Sequence, residues 1–323
     1  SSSHFLFISV TYVLSHYKFA TASHIWYNIC LITRKGNKDM IKLVAVDLDG
    51  TLLTSEKKVT ETTKQAIKKV MDKGIYFVIS SGRSSSTAAL VQQEIGAEGQ
   101  PMILHNGALI FGGNDIGGIK ETMTMPREYA KEFLEFCTGH DYTCAVIFGD
   151  CERVVMNRDD KFAKDSFRKF SLVDDVFVAE DPDDLDVIVP GEVRPNKMLV
   201  VDRDTEKINR AKDIINEAFG DRMSVYKSGD EYVDVMPYGM NKGTGLSILM
   251  KDLGIRKNEV MAIGDSGNDV GMLKMASLSV AMENGEPDTK KAAKFITGTN
   301  DSEGVRCALE KFIGLDNNHR NLN

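Results

Sequence analysis

A chain that sets Leu43-Val44-Ala45-Val46 directly before Asp47-Leu48-Asp49-Gly50-Thr51 has few folds open to it. Consecutive apolar residues without polar alternation describe a strand covered on both faces, the condition of a parallel sheet flanked by helices. The pattern then repeats. A helix is predicted from Thr60, with Thr60-Glu61-Thr62-Thr63 as its capping region and Ala66, Ile67, Val70 and Met71 on its inner face, stopped by Gly74. A second strand, Ile75 to Ser80, leads into Ser81-Gly82-Arg83, and a third, Pro101 to His105, is closed by Asn106-Gly107. The alternation returns as a helix over 243–253, a strand from Glu259 to Ile263, a helix over 268–276 and short strands at 278–281 and 294–297. This predicts an α/β fold with a doubly wound, Rossmann-like parallel-sheet core.

Between the two halves the texture changes. Paired strand-like runs, Thr143–Phe148 with Arg153–Met156 and Ser224–Tyr226 with Tyr232–Met236, flank helical patterns at 127–138, 161–170 and 205–218. Adjacent hairpins imply an antiparallel or mixed sheet, so 123–236 is expected to be an α+β cap domain inserted into a core made of 40–122 and 237–323. Gly112–Gly118 and Pro237-Tyr238-Gly239 lie near the two crossings and make a hinge plausible. Residues 1–39 are expected to stand outside the fold as an extension. Phe5 to Leu14 lacks the preceding basic residues of a signal peptide, and His16, Lys18 and His24 interrupt the segment too often for a membrane span.

At 323 residues, two domains are the better expectation for the chain. A net charge of −7 argues against nucleic acid and against stable membrane association, both of which call for a basic face. Five cysteines without framework spacing fit a reducing compartment, hence a cytoplasmic protein, with Cys137, Cys144 and Cys151 read as structural thiols.

Four stretches can carry chemistry. Asp47 and Asp49 fall at the carboxyl end of the first strand, where doubly wound sheets bind ligands. Two neighbouring carboxylates need a cation or a shared proton, and a hard dication such as Mg²⁺ suits them. The ordinary alternative is a solvated acidic turn. Ser81, Gly82 and Arg83 offer a hydroxyl, a backbone N–H and a guanidinium to a phosphoryl group, although Ser and Gly there equally describe a helix N-cap. Lys242, in Met240-Asn241-Lys242-Gly243-Thr244-Gly245, precedes a helix without a P-loop pattern, and alone it would be a surface lysine. Gly264-Asp265-Ser266-Gly267-Asn268-Asp269 follows another apolar strand and would alone be a capped βα turn. Their joint placement where a parallel sheet presents its loops lifts all four above these readings.

In that order, DLDGT, SGR, the isolated lysine and GDSGND resemble the haloacid dehalogenase superfamily. The large insertion, Asn106-Gly107-Ala108 and Asn300-Asp301-Ser302-Glu303-Gly304-Val305 resemble its Cof-type branch. The resemblance covers 40 to 315. It implies a Mg²⁺-dependent phosphatase acting on small phosphorylated metabolites, sugar phosphates foremost, through an aspartyl-phosphate intermediate. Asp47 would be the nucleophile and Asp49 the general acid and base. The carboxylates of Asp47 and Asp265 and the backbone carbonyl of Asp49 would hold the metal, with Asp269 supporting them. Ser81 and Lys242 would hold the phosphoryl group with help from Asn268 and the Gly82 turn, while Arg83 would either join them or tie down its own loop. The rival readings are a phosphomannomutase-like phosphotransferase and a non-catalytic phosphate-binding regulator on the same scaffold.

Overall fold

The computed structural model describes residues 40–315, apart from 122, 150–152 and 172–175. The predicted extension, 1–39, lies outside the described residues, as does Cys151.

The first sheet opens with β1 (Leu43–Val46), β2 (Tyr76–Ser80), β3 (Met102–Leu104), β4 (Leu109–Phe111) and β5 (Ile119–Glu121). The chain then builds a second sheet from β6 (Cys144–Phe148), β7 (Arg153–Met156), β8 (Val176–Val178), β9 (Pro195–Val201), β10 (Met223–Lys227) and β11 (Tyr232–Pro237). It returns to the first with β12 (Val260–Gly264), β13 (Leu278–Ala281) and β14 (Phe295–Ile296). The first sheet has the order β14-β13-β12-β1-β2-β3-β4-β5, parallel from β14 through β3. Strand β1 therefore lies between β2, which follows it, and β12, which arrives from the far end of the chain. That is a topological switch point, where the loops at the carboxyl ends diverge and leave a crevice.

Alternate residues of β1 enter different cores. Val44 and Val46 pack with Ile67, Val70, Phe77 and Ile263 on one face. Leu43 and Ala45 pack with Val78, Leu246, Leu249 and Ala262 on the other. Both faces are dry, which is why the strand reads as a continuous apolar run. Helix Glu61–Asp72 starts as the sequence predicts, with the Thr60 hydroxyl accepting from the Thr63 N–H.

In the second sheet, β9 is flanked by β6 and β11, and the order is β10-β11-β9-β6-β7-β8. Helices Arg127–Gly139 and Thr205–Phe219 cover one face through Phe133, Leu134, Ile208 and Ile215. Helix Lys161–Ser171 packs on the other through Ala163 and Phe167. Cys137 and Cys144 are buried free thiols in the first of these layers.

Two features depart from the sequence reading. The glycines of 112–118 serve a hairpin, because β4 and β5 extend the first sheet antiparallel and the short helix Gly113–Ile116 joins them. Three-residue strands are too short to show a period. The sequence reading also omits β8, helix Asp184–Ile188 and β9. Strand β9 pairs with β6 and β11, so no neighbouring hairpin announces it. Among the described residues, no helix is long and apolar enough to cross a membrane.

Candidate active site

The site is built where β1, β2 and β12 end. Asp47 follows β1, Ser81 follows β2, and Asp265 follows β12. Register pairs Val46 with both Ile79 and Ile263, so the three loops leave the sheet side by side. Lys242 opens helix Lys242–Asp252, whose first N–H groups are capped by the Asn241 side chain at 2.8 and 3.0 Å. A lysine in the first turn of a helix opposes the helix dipole. Here two carboxylates compensate: its Nζ lies 2.6 Å from Asp47 Oδ1 and 2.6 Å from Asp269 Oδ1, with all three side chains buried. The glycines around Lys242 serve close packing. A Cβ on Gly243 would stand 2.4 Å from the backbone of Gly271, so the helix carrying the lysine approaches the loop carrying Asp269 only without that atom.

Asp269 is fully engaged. Its second oxygen accepts the backbone N–H groups of Asp265 and Ser266 at 2.9 and 3.0 Å, which sets the turn that presents Asp265. Asp265 in turn accepts the Thr51 hydroxyl at 2.8 Å. Gly50, with φ +82°, lets Asp265 come close, since a Cβ there would lie 2.4 Å from Asp265 Oδ2.

Carboxylate oxygens of Asp47, Asp265 and Asp269 lie within 4.8 Å of one another. Three carboxylates face one ammonium. Burial, then the charges of Asp269 and Asp265 against the opposing pull of Lys242, holds the Asp47 carboxyl well above the usual range. Burial and then Asp269 push Asp265 up to about 6. Burial opposes the charge on Lys242, yet Asp269 and Asp47 together raise its pKa above the ordinary lysine value. A cluster this short of positive charge, with hard oxygen donors, fits a divalent cation. Without one, the folded state takes up protons that the unfolded chain releases. Stability contributed by protonated Asp265 is thus full below about pH 4 and declines as pH rises through about 6. In chelator, Tm is expected to fall between pH 5 and pH 7, and Asp265→Asn to remove part of that fall. An unchanged slope in the variant would contradict it.

Asp49 faces the other way. Arg83 Nε and Nη2 donate to its two oxygens at 2.8 and 2.7 Å, and Lys57 Nζ donates at 2.9 Å. Burial works against its charge, but the Arg83 guanidinium, followed by Lys57, lowers its pKa. Arg83 thus grips the second aspartate of DLDGT instead of tying down only its own loop. Ser81 is buried and accepts from the Arg83 N–H at 3.2 Å. Asn268 donates to Asn106 Oδ1 at 3.1 Å.

These groups open on a cleft of about 580 Å³ between the two sheets. Asp47, Asp49, Ser81, Gly82, Arg83 and Asn268 line its inner end. The second sheet and its helix supply Ile147, Phe162, Phe167, Lys197, Leu199 and Tyr232, with Ser228 to Glu231 at the margin. Sequence reading brought Asp47, Asp265, Asp269, Lys242, Ser81 and Asn268 to one place, and the structure gathers them there. It missed Lys57, Asn106, Lys197 and Asp234. A lone charge inside an apolar strand was the available signal for the last two, in Asn196-Lys197-Met198-Leu199 and Val233-Asp234-Val235.

A doubly wound sheet with an acidic, lysine-braced crevice at its switch point and a second sheet across it has its candidate site where such sheets bind ligands. The chain belongs to the haloacid dehalogenase-like hydrolase family, whose model matches residues 44–309. It is 33% identical to a putative phosphatase of Streptococcus pyogenes over 84% of this chain and 98% of that protein. It is 26% identical to a 5-amino-6-(5-phospho-D-ribitylamino)uracil phosphatase of Bacillus subtilis over 84% of this chain and 96% of that one. A Thermotoga maritima protein solved by X-ray crystallography superposes with a TM-score of 0.68, at 28% identity, covering 84% of this chain and 97% of that chain. The chain is a Cof-type phosphatase, a phosphoric monoester hydrolase.

Proposed function

We propose that the protein is a Mg²⁺-dependent hydrolase of small phosphomonoesters, sugar and polyol phosphates in particular, working through an aspartyl-phosphate on Asp47. The observation that carries this reading is the buried Lys242 bridging Asp47 and Asp269 at the crevice floor. It fixes one oxygen of Asp47 and supplies positive charge where a phosphoryl group would arrive. An Asp47 oxygen attacks phosphorus and the P–O bond to the leaving group breaks. Asp49 gives its proton to the departing alkoxide. Asp49 then takes a proton from water, the water oxygen attacks phosphorus, and Asp47 is released with inorganic phosphate. At rest Arg83 and Lys57 favour ionised Asp49, so to act as the acid it must first leave them and take up a proton, from solvent or from a protonated phosphate ester.

The carboxylates of Asp47 and Asp265, with the Asp49 backbone carbonyl, would hold Mg²⁺. Bound there, it would offset the repulsion between an anionic nucleophile and an anionic ester. Asp269 supports the set by holding Lys242 and the Asp265 turn. Ser81, Lys242 and Asn268 take the phosphoryl oxygens, with the Gly82 turn beside them.

Residues 123–236 act as the cap on a core of 40–122 and 237–323. The cleft wall they present combines aromatic and aliphatic surface with hydroxyls and carboxylates (Ser166, Ser228, Asp230, Glu231), which suits a neutral, hydroxyl-bearing leaving group. The Bacillus subtilis relative named for a phosphoribityl substrate fits that chemistry. Among the described residues lining the cleft, the cap contributes one cation, Lys197, and it is paired with Asp234. A retained bisphosphate would lack a second cationic seat, which favours hydrolysis over the phosphotransferase reading.

A panel of phosphate esters assayed with Mg²⁺ and with excess chelator tests this. Turnover of polyol and sugar phosphates that stops in chelator is expected, and full turnover without metal would overturn it. In the first half-reaction, read as the burst of alcohol released in a single turnover, Asp49→Asn should cost about 10²-fold or more with alkyl phosphates and much less with a nitrophenyl ester, whose leaving group needs no proton. Equal losses across leaving groups would count against Asp49 as the acid.

A further inference from the structure

The catalytic loops and the cap are joined by a buried chain of side chains, of which the proposed reaction uses only Asn268. Lys197 on β9 and Asp234 on β11 project from the same face of the second sheet, because Asp234 stands opposite Leu199 in the antiparallel register. Their charges meet at 2.9 Å, and each side chain is less than a tenth exposed. Asp234 Oδ2 accepts from Asn106 Nδ2 at 2.5 Å, and Asn106 Oδ1 accepts from Asn268 Nδ2 at 3.1 Å. Lys197 Nζ also reaches the Gly82 carbonyl at 3.4 Å.

A buried ion pair is an expensive way to join two strands, and an apolar pair would serve packing at least as well. What a carboxylate adds is direction. Ionised, it only accepts hydrogen bonds, so Asn106 must turn its NH₂ toward Asp234 and its carbonyl oxygen toward Asn268. Asn268 must then present its own NH₂ to Asn106 and its oxygen to Ser266, whose hydroxyl donates at 2.7 Å. Reversing either amide would set two oxygens, or two NH₂ groups, face to face. Asn106 is held for this task. It is fully buried, lies in the left-handed region with φ +51°, and its N–H donates to the Ser81 carbonyl at 3.1 Å. The chain leaves one N–H of Asn268, a residue lining the cleft, for a ligand oxygen.

We propose that Asp234 is a positioning residue: acting through Asn106, it fixes the amide of Asn268 with its N–H toward the phosphoryl group. Specificity of orientation is thereby supplied from the cap, and the phosphate seat is fully set only when β11 rests on the Asn106 turn. The inference rests on the reading of Asn268 as a phosphoryl ligand, and the experiment separates the two.

Binding of inorganic phosphate is measured calorimetrically on the full chain with Mg²⁺, together with KM and kcat for one good ester substrate. Asn268→Ala is expected to weaken phosphate binding by about tenfold or more, the loss of a charge-assisted hydrogen bond. Asp234→Asn and Asn106→Leu should each weaken it by several-fold to about tenfold, while Asp234→Glu recovers part of the loss. In the Asn268→Ala background, Asp234→Asn should add less than about twofold, since neighbours acting through one another are not additive. If Asn268→Ala leaves phosphate binding intact, the phosphoryl reading of Asn268 fails and the relay with it. If Asn268→Ala weakens binding but the Asp234→Asn loss is absent, or is fully additive, the relay alone is overturned. Should Asp234→Asn fail to fold, Asn106→Leu, which spares the Lys197–Asp234 pair, decides by the same criteria.

Discussion

Asp47→Asn is expected to remove hydrolysis by about 10⁵-fold or more, the scale seen when a nucleophile that acts with its partners is deleted. The replacement keeps the shape and removes the charge. Because Asp47 shares a cluster with half-buried Asp265 and buried Asp269 against one Lys242, loss of one carboxylate relieves repulsion. In chelator the variant should therefore melt no lower than the parent at neutral pH. Steady-state assay and thermal unfolding on the same preparation check both halves. Residual turnover within tenfold of the parent would show that another group attacks phosphorus, and a large fall in Tm would show that the carboxylate is needed for folding.

Lys242→Met should damage both activity and stability. The ammonium is almost completely buried, and its removal strands Asp47 and Asp269. Breaking a buried pair from one side costs about 3–5 kcal/mol, because the remaining charge keeps its desolvation penalty. The stranded Asp47 carboxyl, already held well above the usual range by burial, can shed its charge by taking up a proton, so the deficit should be larger at pH 8 than at pH 5. Activity should fall by about 10³-fold, as when a fixed electrostatic donor is removed from a transition state. Adding Asp269→Asn should return part of the stability and none of the rate. Denaturant unfolding at the two pH values measures the first effect. A variant as stable as the parent at pH 8 would mean that Lys242 is not the counter-ion the distances describe.

Much of the core was legible because its signals are local. Leu43–Val46 is apolar on both faces, and each following loop begins with the polar residues that form the site, so strand and motif were read together. The Lys242 motif was legible only through its place in an ordered set. What escaped reading depends on long-range pairing. Strand β9 joins β6 and β11, neither adjacent to it in sequence, and the three-residue strands β4 and β5 carry no readable period. The bond from Asn106 to Asp234 spans 128 positions, and the grip of Arg83 on Asp49 spans 34. Arg83 sits in a motif, but nothing in the motif says which way its side chain turns.

Borohydride reduction of protein quenched during turnover tests the central claim most directly. An acyl phosphate on an aspartate is reduced to homoserine, whereas an unmodified carboxylate is not. Peptide mapping after incubation with Mg²⁺ and a phosphate ester should find homoserine at position 47, none at 49, and none anywhere without substrate. Turnover with aspartate intact at 47, or homoserine at 49 or 265, would contradict attack by Asp47.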